Sequence, residues 1–294
     1  MRPLLAAALC TMLAFAMPAW CQSSAKDAFA EVFGVKLHYT DTGTGSVVLL
    51  LHGLADDVHV WDRVAGPLSQ HYRVVALDFP GFGQSGKPTI DYRVATLVDF
   101  VDGFLDALHI EHAAMVGNSL GGWVAAAFAL ARPRRVSALV LVDAAGYADL
   151  ARTLGPAGMR ALRLASRDDL RYLAPLTFHD PRYSSDAAID AGFAERMTAG
   201  DGYAVSRIVE AMGRRDDVLD GRLAGIRAAT LIVWGEEDRL IPAAFARRFA
   251  HDIRGARLLM LPRCGHMPQV ECPEPFDAAL ERFLERSLSS AGSR

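Results

Sequence analysis

A serine lies between two glycines near the middle of the chain, in a G-x-S-x-G pattern that spans 117–121. An apolar run, 113–116, precedes the pattern, and a helix-forming run, 123–131, follows it. A strand, a sharp turn and a helix in this order are typical of a nucleophile elbow, which holds a serine hydroxyl on a strained backbone. The helix N-terminus then points at the serine oxygen, where negative charge develops during acyl transfer. The residues therefore predict a serine hydrolase whose nucleophile is Ser119.

The predicted nucleophile requires two partners further along the chain. A serine hydroxyl attacks only when a base takes its proton, and a carboxylate must orient that base. His266 is the predicted base, because it lies beside Gly265 in a loop that directly follows the last predicted strand. Asp238 is the predicted acid, because it lies in a turn after another buried strand. Asp143 is the alternative acid, since it also follows a strand and lies between Ser119 and His266 in sequence.

Two backbone N–H groups must stabilise the oxyanion that forms in the reaction. Leu120, the residue after the nucleophile, is expected to supply one of them. Leu54, in the loop that follows the strand 47–51, is expected to supply the other. His52 lies at the start of that loop, and we expect it to hold the loop in shape rather than to act as a base.

A second glycine-rich stretch, 78–85, invites comparison with phosphate-binding loops. It lacks the lysine of a P-loop, and no helix begins at its glycines, as a dinucleotide site requires. No cluster of histidine, cysteine or carboxylate residues has the sequence spacing of metal ligands. The sequence therefore predicts a structural turn at 78–85, no cofactor and no metal.

Apolar strands alternate with helices on both sides of the candidate residues. The predicted strands are 29–32, 35–40, 47–51, 73–77, 113–116, 136–142, 230–234 and 257–261. The predicted helices are 61–68, 96–108, 123–131, 245–250 and 275–288. This alternation favours an α/β fold with a mainly parallel sheet that is covered on both faces.

The alternation breaks between 146 and 217, where helical pieces, prolines and charges of both signs replace the strands. Ligands of open α/β sheets bind at the carboxyl ends of the strands, so we expect this stretch to form a helical cap, or lid, over the site. A surface elaboration without contact with the substrate is the alternative. The predicted domains are a leader at 1–25, a core in two parts at 26–145 and 218–294, and the cap at 146–217.

The N-terminus has the order of a secretory signal peptide. Arg2 precedes an apolar run, 4–17, which ends at Pro18 and is followed by small and polar residues. The run is shorter than the roughly 20 residues that a spanning helix needs. We expect cleavage after Ala25, with cleavage after Cys21 or an uncleaved anchor as the alternatives. We expect the protein to be exported to the periplasm or secreted, with no stable membrane anchor after cleavage.

The composition of the chain argues against some classes of binding partner. The chain has 294 residues, of which 51% are hydrophobic, and a formal net charge of −3. These values are not those of a disordered chain or of a basic surface that binds nucleic acid, so a small molecule is the expected partner.

Export permits a bridge between Cys264 and Cys272. Because bridge geometry is demanding, the sequence favours an unpaired, buried Cys264 and leaves the bridge as the alternative.

Taken in order, these motifs resemble those of the α/β-hydrolase fold superfamily. The resemblance rests on the elbow, the loop at 52–54, the turn at 78–85, the acid turn at 235–242 and the loop at 265–268. It extends from about 35 to 288, nearly the whole chain after the leader. It implies an acyl-enzyme mechanism in which Ser119 is the nucleophile, His266 is the base and then the acid, and Asp238 orients His266.

Within the superfamily, the serine argues against epoxide hydrolases and haloalkane dehalogenases, which use aspartate at this position. The stretches 117–122 and 264–266 are similar to those of the carbon–carbon bond hydrolases of aromatic degradation. The loop 52–57 lacks the glycine- and serine-rich sequence of that family, and export fits poorly with a cytoplasmic catabolic step. We therefore expect hydrolysis of a small to medium carboxylic ester, with carbon–carbon bond cleavage or perhydrolase activity as the alternatives. A catalytically weak ligand-binding protein on the same fold is the alternative from a different class.

Overall fold

The computed structural model describes residues 26–289 of the chain. One sheet contains the strands β1 (Lys26–Val32), β2 (Val35–Thr42), β3 (Val47–Leu51), β4 (Arg73–Leu77), β5 (Ala113–Asn118), β6 (Val136–Val142), β7 (Ala229–Gly235) and β8 (Arg257–Leu261). The helices are α1 (Asp62–Leu68), α2 (Val94–Ala107), α3 (Leu120–Ala131), α4 (Leu150–Ala161), α5 (Arg167–Thr177), α6 (Asp186–Ala199), α7 (Gly202–Arg214), α8 (Ala244–Asp252), α9 (Pro268–Glu271) and α10 (Pro273–Ser289). The expected signal peptide, 1–25, lies outside the described residues. Within 26–289, no helix combines the length and apolarity needed to cross a membrane.

The strands lie in the order β1-β2-β4-β3-β5-β6-β7-β8. Strands β3 to β8 run parallel to one another, whereas β2 pairs antiparallel with both β1 and β4. Phe33 and Gly34 connect β1 to β2 with φ angles of 51° and 76°, as a tight two-residue hairpin turn requires. The predicted α/β fold with a mainly parallel sheet is confirmed.

Central strands alternate their side chains between two apolar layers, one on each face of the sheet. In β3, Leu49 and Leu51 join the layer that contains α2, α3 and α8, while Val48 and Leu50 join the layer that contains α1 and α10. All four side chains are fully buried. Burial of one such side chain stabilises a fold by about 1.5–3 kcal/mol, so these layers hold the strand ends in fixed positions.

Helix α3 packs against the sheet more closely than side chains would allow. A Cβ atom on Gly121 would lie 2.1 Å from the carbonyl oxygen of Leu51, and one on Gly117 would lie 2.3 Å from the carbonyl oxygen of Gly121. Real Cβ atoms do not approach backbone oxygens so closely, so both positions require glycine. The glycines therefore bring the first turn of α3 directly against the carboxyl ends of β3 and β5.

Four helices, α4 to α7, occupy the chain between β6 and β7, where the sequence predicts the cap. The N–H of Leu219 donates to the carbonyl oxygen of Gly146 at 2.9 Å, and the indole N–H of Trp123 donates to the carbonyl oxygen of Asp217 at 3.1 Å. These bonds hold the two ends of the segment together on the core. We keep the name cap for 146–217, whose domain boundaries stay a prediction.

Candidate active site

Ser119 stands at the turn between β5 and α3 in a strained backbone conformation. Its φ is 54° and its ψ is −113°, a region that costs a residue other than glycine about 1–3 kcal/mol. The surroundings hold it there, because its N–H donates to the carbonyl oxygen of Val142 at 2.9 Å. Its own carbonyl oxygen accepts the N–H groups of Trp123 and Ala145, each at 3.1 Å. The predicted elbow geometry is therefore present at Ser119.

His266 and Asp238 are brought together at the carboxyl ends of β8 and β7. Nδ1 of His266 lies 2.8 Å from Oδ2 of Asp238. Oδ1 of Asp238 accepts the N–H groups of Leu240 and Ile241, both at 2.8 Å. Because Asp238 can only accept when ionised, Nδ1 of His266 carries the proton and Nε2 keeps the lone pair that a general base needs. Both side chains are buried.

The loop that carries His266 is held by hydrogen bonds from three directions. The amide of Asn118, next to Ser119, donates to the carbonyl oxygen of His266 at 3.0 Å. The N–H of His266 donates to the carbonyl oxygen of Thr177, the last residue of α5 in the cap, at 2.6 Å. The N–H of Gly265 donates to a carboxylate oxygen of Glu271 at 2.7 Å. The elbow, the cap and α9 thus fix the position of the ring together.

Asp143, the alternative acid, is buried behind the pair formed by Asp238 and His266. One carboxylate oxygen of Asp143, one of Asp238 and one ring nitrogen of His266 all lie within 4.8 Å of one another. The spacing of these residues in the sequence did not predict this proximity. Oδ1 of Asp143 accepts the N–H of Gly235 at 3.0 Å, and within residues 26–289 its Oδ2 has no hydrogen-bond partner. Burial, and then the neighbouring carboxylate of Asp238, raise the pKa of Asp143 well above its ordinary value. Nδ1 of His266 is bonded to Asp238 rather than to Asp143, and the raised pKa of Asp143 makes it the poorer partner for an imidazolium, so both observations favour Asp238 as the acid.

The oxyanion loop after β3 is held in shape by His52. Nδ1 of its buried ring lies 2.7 Å from the carbonyl oxygen of Gly53, and Nε2 accepts the N–H of Phe79 at 3.1 Å. Burial lowers the pKa of His52, which keeps the ring neutral as these two bonds require. A Cβ atom on Gly53 would lie 3.6 Å from Cβ of Ser119, so this loop passes directly beside the elbow. The contacts of His52 agree with the structural role expected for it.

The turn at 78–85 is also structural. The buried carboxylate of Asp78 accepts the N–H groups of Val58 and Gln84, both at 2.8 Å, and lies 2.7 Å from Nδ1 of His38. A Cβ atom on Gly83 would lie 2.0 Å from that carboxylate. The glycines of this stretch therefore make room for an internal side chain.

A cavity of about 300 Å³ opens between the core and the cap, and Ser119 and His266 both line it. On the core side its walls include Leu54 and Leu120, the expected oxyanion-loop and elbow residues. Apolar side chains of the cap form most of the remaining wall: Leu150, Leu154, Leu162, Leu164, Leu170, Leu173, Phe178, Ile189, Ile208 and Met212. Such a cavity suits an apolar group attached to the atom that the serine attacks.

Charged side chains gather at one end of this cavity. Asp56, from the oxyanion loop, and Glu195 and Arg196, from α6, all line it. Arg196 is held in a two-pronged ion pair with the buried Asp201, with Nη1 2.6 Å from Oδ2 and Nη2 bonded to Oδ1. Burial, and then the neighbouring carboxylate of Asp57, raise the pKa of Asp56 to about 7, against the opposing charges of His266 and Arg196.

Sequence reasoning missed Asp56 and Arg196. An acidic pair, 56–57, beside a loop predicted to carry an oxyanion donor could have marked Asp56 as unusual. Nothing local could have marked Arg196, because it lies inside a cap helix and reaches the cavity only through the tertiary fold.

A disulfide joins Cys264 to Cys272, whose Cα atoms are 6.1 Å apart. The expectation of an unpaired Cys264 is therefore wrong, although the residue is buried as expected. The reason is the short helix α9, which reverses the chain after the base loop and returns Cys272 to the end of β8. The bridge closes a loop that contains His266.

Comparisons with known proteins agree with this architecture. A family model described as alpha/beta hydrolase fold matches residues 46–273. An acetyltransferase component of an acetoin cleaving system from Cupriavidus necator is 34% identical over 87% of this chain and 68% of its own length. A 2-hydroxy-6-oxo-2,4-heptadienoate hydrolase from Pseudomonas putida is 33% identical over 85% of this chain and 93% of its own length.

A solved structure of a membrane phospholipase A, described as a bacterial virulence factor, superposes with a TM-score of 0.80. It is 29% identical in sequence, and the match covers 90% of this chain and 86% of the phospholipase. The family model spans β3 to β8 and the loops at the carboxyl edge of the sheet. The chain therefore belongs to the α/β-hydrolase fold family.

Proposed function

We propose that the protein is a serine hydrolase that cleaves a small to medium carboxylic ester through an acyl-enzyme on Ser119. The observation that carries the proposal is the hydrogen bond of 2.8 Å between His266 and Asp238, at a cavity that Ser119 also lines. A protein that only bound ligands would need neither a strained serine nor an oriented imidazole beside it. The family assignment supports hydrolysis in general, and the site geometry supports this form of it.

The proposed reaction uses each of these groups in turn. Nε2 of His266 takes the proton of the Ser119 hydroxyl as its oxygen attacks the ester carbonyl carbon. The N–H groups of Leu54 and Leu120 receive the resulting oxyanion, which is the role predicted for them. His266 then gives its proton to the departing alkoxide, and the acyl group stays on Ser119. A water molecule, deprotonated by His266, hydrolyses this acyl-enzyme by the same steps and releases the acid.

The cavity supports the proposed size of the acyl group. At about 300 Å³ it lies at the lower end of the roughly 300–1,000 Å³ that is usual for small-molecule sites. Its apolar walls favour an unsubstituted alkyl chain over a polar acid. The similar solved structure is that of a phospholipase A, and a phospholipase A hydrolyses esters. This similarity supports ester hydrolysis by the present protein.

Carbon–carbon bond hydrolysis is the second candidate, because a relative of 33% identity is a heptadienoate hydrolase. Such a substrate carries a carboxylate, for which Arg196 is the cation at hand in the cavity. In the described residues, however, Arg196 is already paired with the buried Asp201, and Asp56 and Glu195 add negative charge nearby. These charges favour an uncharged ester over a dienoate. Perhydrolase activity, the remaining alternative, has no specific observation in its favour.

We also propose that the protein is exported, because the first 25 residues have the pattern of a signal peptide. A disulfide between Cys264 and Cys272 supports an oxidising compartment, since such bridges are rare in the cytosol. Detection of the protein in periplasmic and medium fractions, with its N-terminus sequenced, tests the location and the cleavage after Ala25 together.

The experiment that tests the activity is a series of p-nitrophenyl esters of increasing acyl length, measured on the wild type and on Ser119→Ala. We expect turnover to peak at one short or medium chain length and to vanish in the variant. Ester turnover that survives in Ser119→Ala would disprove the assignment of the nucleophile. Wild-type protein that leaves all esters intact but hydrolyses 2-hydroxy-6-oxo-2,4-heptadienoate would establish the second candidate instead.

A further inference from the structure

A second cavity, of about 650 Å³, adjoins the active-site cavity. The two cavities share four wall residues, two from the oxyanion loop and two from α6: Ala55, Asp56, Glu195 and Arg196. The apolar walls of the first cavity end at these residues, and the walls of the second are largely polar. An ester bound at Ser119 therefore has an apolar space on one side and a polar space on the other.

Asp56 lies at the junction of the two cavities and close to the reacting atoms. A Cβ atom placed on Gly53 would lie 2.9 Å from Oδ2 of Asp56 and 3.6 Å from Cβ of Ser119. Asp56 and Ser119 are therefore neighbours across Gly53. The carboxyl group thus borders the stretch of backbone that leads to the predicted oxyanion donor, Leu54. A substrate group that extends from the ester oxygen into the second cavity must pass this carboxyl.

The charges around the junction are mainly negative. Asp56, Asp57, Glu195 and Asp201 all line the second cavity. Of the cations there, Arg196 is neutralised by Asp201, and Lys87 keeps its charge while its Nζ donates to the carbonyl oxygen of Gly83 at 2.7 Å. His59 also lines this cavity; burial lowers its pKa, but the carboxylates of Asp62 and Asp57 outweigh that effect and raise it, so His59 loses positive charge as pH rises. The carboxylates at this junction therefore exceed the cations that are close enough to neutralise them.

We propose that the second cavity holds the alcohol part of the ester and that Asp56 selects alcohols that carry a positive charge. The acyl chain occupies the apolar cavity, the ester carbonyl lies at Ser119, and an ammonium group on the alcohol faces Asp56. Amino-alcohol esters are then the preferred substrate class, and esters whose alcohol part is anionic are rejected. This inference rests on the proposed ester hydrolysis and adds the identity of the leaving group.

The titration of Asp56 gives the inference a pH dependence. Its pKa is raised to about 7 by burial and by Asp57 and Asp201, against the opposing charges of His266 and Arg196. Asp56 is therefore uncharged at mildly acidic pH and negative at mildly alkaline pH. Preference for a cationic alcohol should therefore grow as pH rises through 7.

The test compares two butyrate esters that differ only in charge: butyrylcholine and its uncharged analogue, 3,3-dimethylbutyl butyrate. We expect the kcat/KM ratio of the cationic to the neutral ester to be about tenfold at pH 8 and to fall toward one at pH 5.5. In Asp56→Asn the ratio at pH 8 should also fall toward one. Glu111→Gln, which removes an exposed carboxylate outside both cavities, is the control for net charge and should keep the wild-type ratio.

Each outcome either supports or refutes the inference. A wild-type ratio near one at every pH overturns it, even if Asp56→Asn fails to fold, because the wild type alone carries that measurement. An Asp56→Asn variant that keeps a tenfold ratio assigns the selectivity to another group and overturns the role of Asp56. Failure of the wild type to cleave p-nitrophenyl butyrate or either butyrate ester would refute the proposed function itself, a result distinct from a lost preference.

Discussion

Removal of the disulfide should destabilise the protein by an amount that its loop length sets. Cys264 and Cys272 are separated by 8 positions. The chain-entropy relation for a loop of that length gives about 2.5 kcal/mol of unfolding free energy at 25 °C. For a domain of this size, 1 kcal/mol corresponds to about 2–4 °C in Tm, so we expect Cys272→Ala to lower Tm by about 5–10 °C.

Activity should change much less than stability. His266 lies inside the closed loop, but Asn118, Thr177 and Glu271 still hold that loop by hydrogen bonds when the bridge is absent. We therefore expect kcat on a p-nitrophenyl ester at 25 °C to stay within about threefold of wild type, a change of less than 1 kcal/mol. Inactivation should begin at a lower temperature.

Thermal unfolding is followed by circular dichroism with and without tris(2-carboxyethyl)phosphine, and thiols are titrated in both samples. The reductant should lower the Tm of the wild type and leave that of Cys272→Ala unchanged, which makes the variant its own control. A wild type that titrates as fully reduced yet melts at the same temperature would refute the entropy reasoning. Two free thiols in untreated protein that lacks residues 1–25, and so lacks Cys10 and Cys21, would refute the bridge itself.

Three further predictions concern the residues around the elbow and the acid. Asp238→Asn should lower kcat about 10⁴-fold and leave the fold intact, because the amide favours the wrong imidazole tautomer. Steady-state kinetics measures the loss of activity, and circular dichroism checks the fold. Asp143→Asn should keep most activity and should raise the free energy of unfolding at pH 7, measured in urea. Because the pKa of Asp143 is raised in the folded protein, wild-type stability is lost as pH rises above the ordinary value of 3.8. The stability that Asp143→Asn gains should therefore be smaller at pH 4 than at pH 7. A greater loss of activity in Asp143→Asn than in Asp238→Asn would reverse the two assignments. Gly117→Ala should give no soluble protein, since its Cβ would lie 2.3 Å from the carbonyl oxygen of Gly121, and soluble, active material would contradict the packing of the elbow.

The sheet and its helices could be predicted from the sequence because their signals are local. The aliphatic run at β3 matches Val47–Leu51, and the apolar spacing of α2 matches a helix at Val94–Ala107. The elbow was equally accessible, since five consecutive residues encode both the turn and the room it requires. Such features depend on backbone preference and burial within one element, which the residue order expresses directly.

The remaining features depend on distances between elements. The bridge forms because α9 reverses the chain and leaves the Cα atoms of Cys264 and Cys272 6.1 Å apart. No short sequence pattern predicts that distance. The junction formed by Asp56 and Arg196 joins two segments that are far apart in sequence, so neither residue is informative alone. The adjacency of Asp143 to Asp238 likewise arises because β6 and β7 are neighbours in the sheet. The catalytic roles of Ser119, Asp238 and His266 stay predictions until the variants are measured.

The bond between the N–H of His266 and the carbonyl oxygen of Thr177 has a consequence for how this cap can be exchanged. Among the described residues, the cap holds the base loop through main-chain atoms: this oxygen, and the N–H of Asp180, which donates to Oε1 of Glu271 at 2.8 Å. Any residue other than proline would offer these atoms equally. The core meets the oxygen of Thr177 with Gly265, where a Cβ atom would lie 2.3 Å from the same oxygen. Side chains on the cavity side of the cap can therefore be redesigned or grafted without disturbing the imidazole, provided that the backbone path at the end of α5 is copied. Selectivity in this molecule can be engineered separately from its reactive centre.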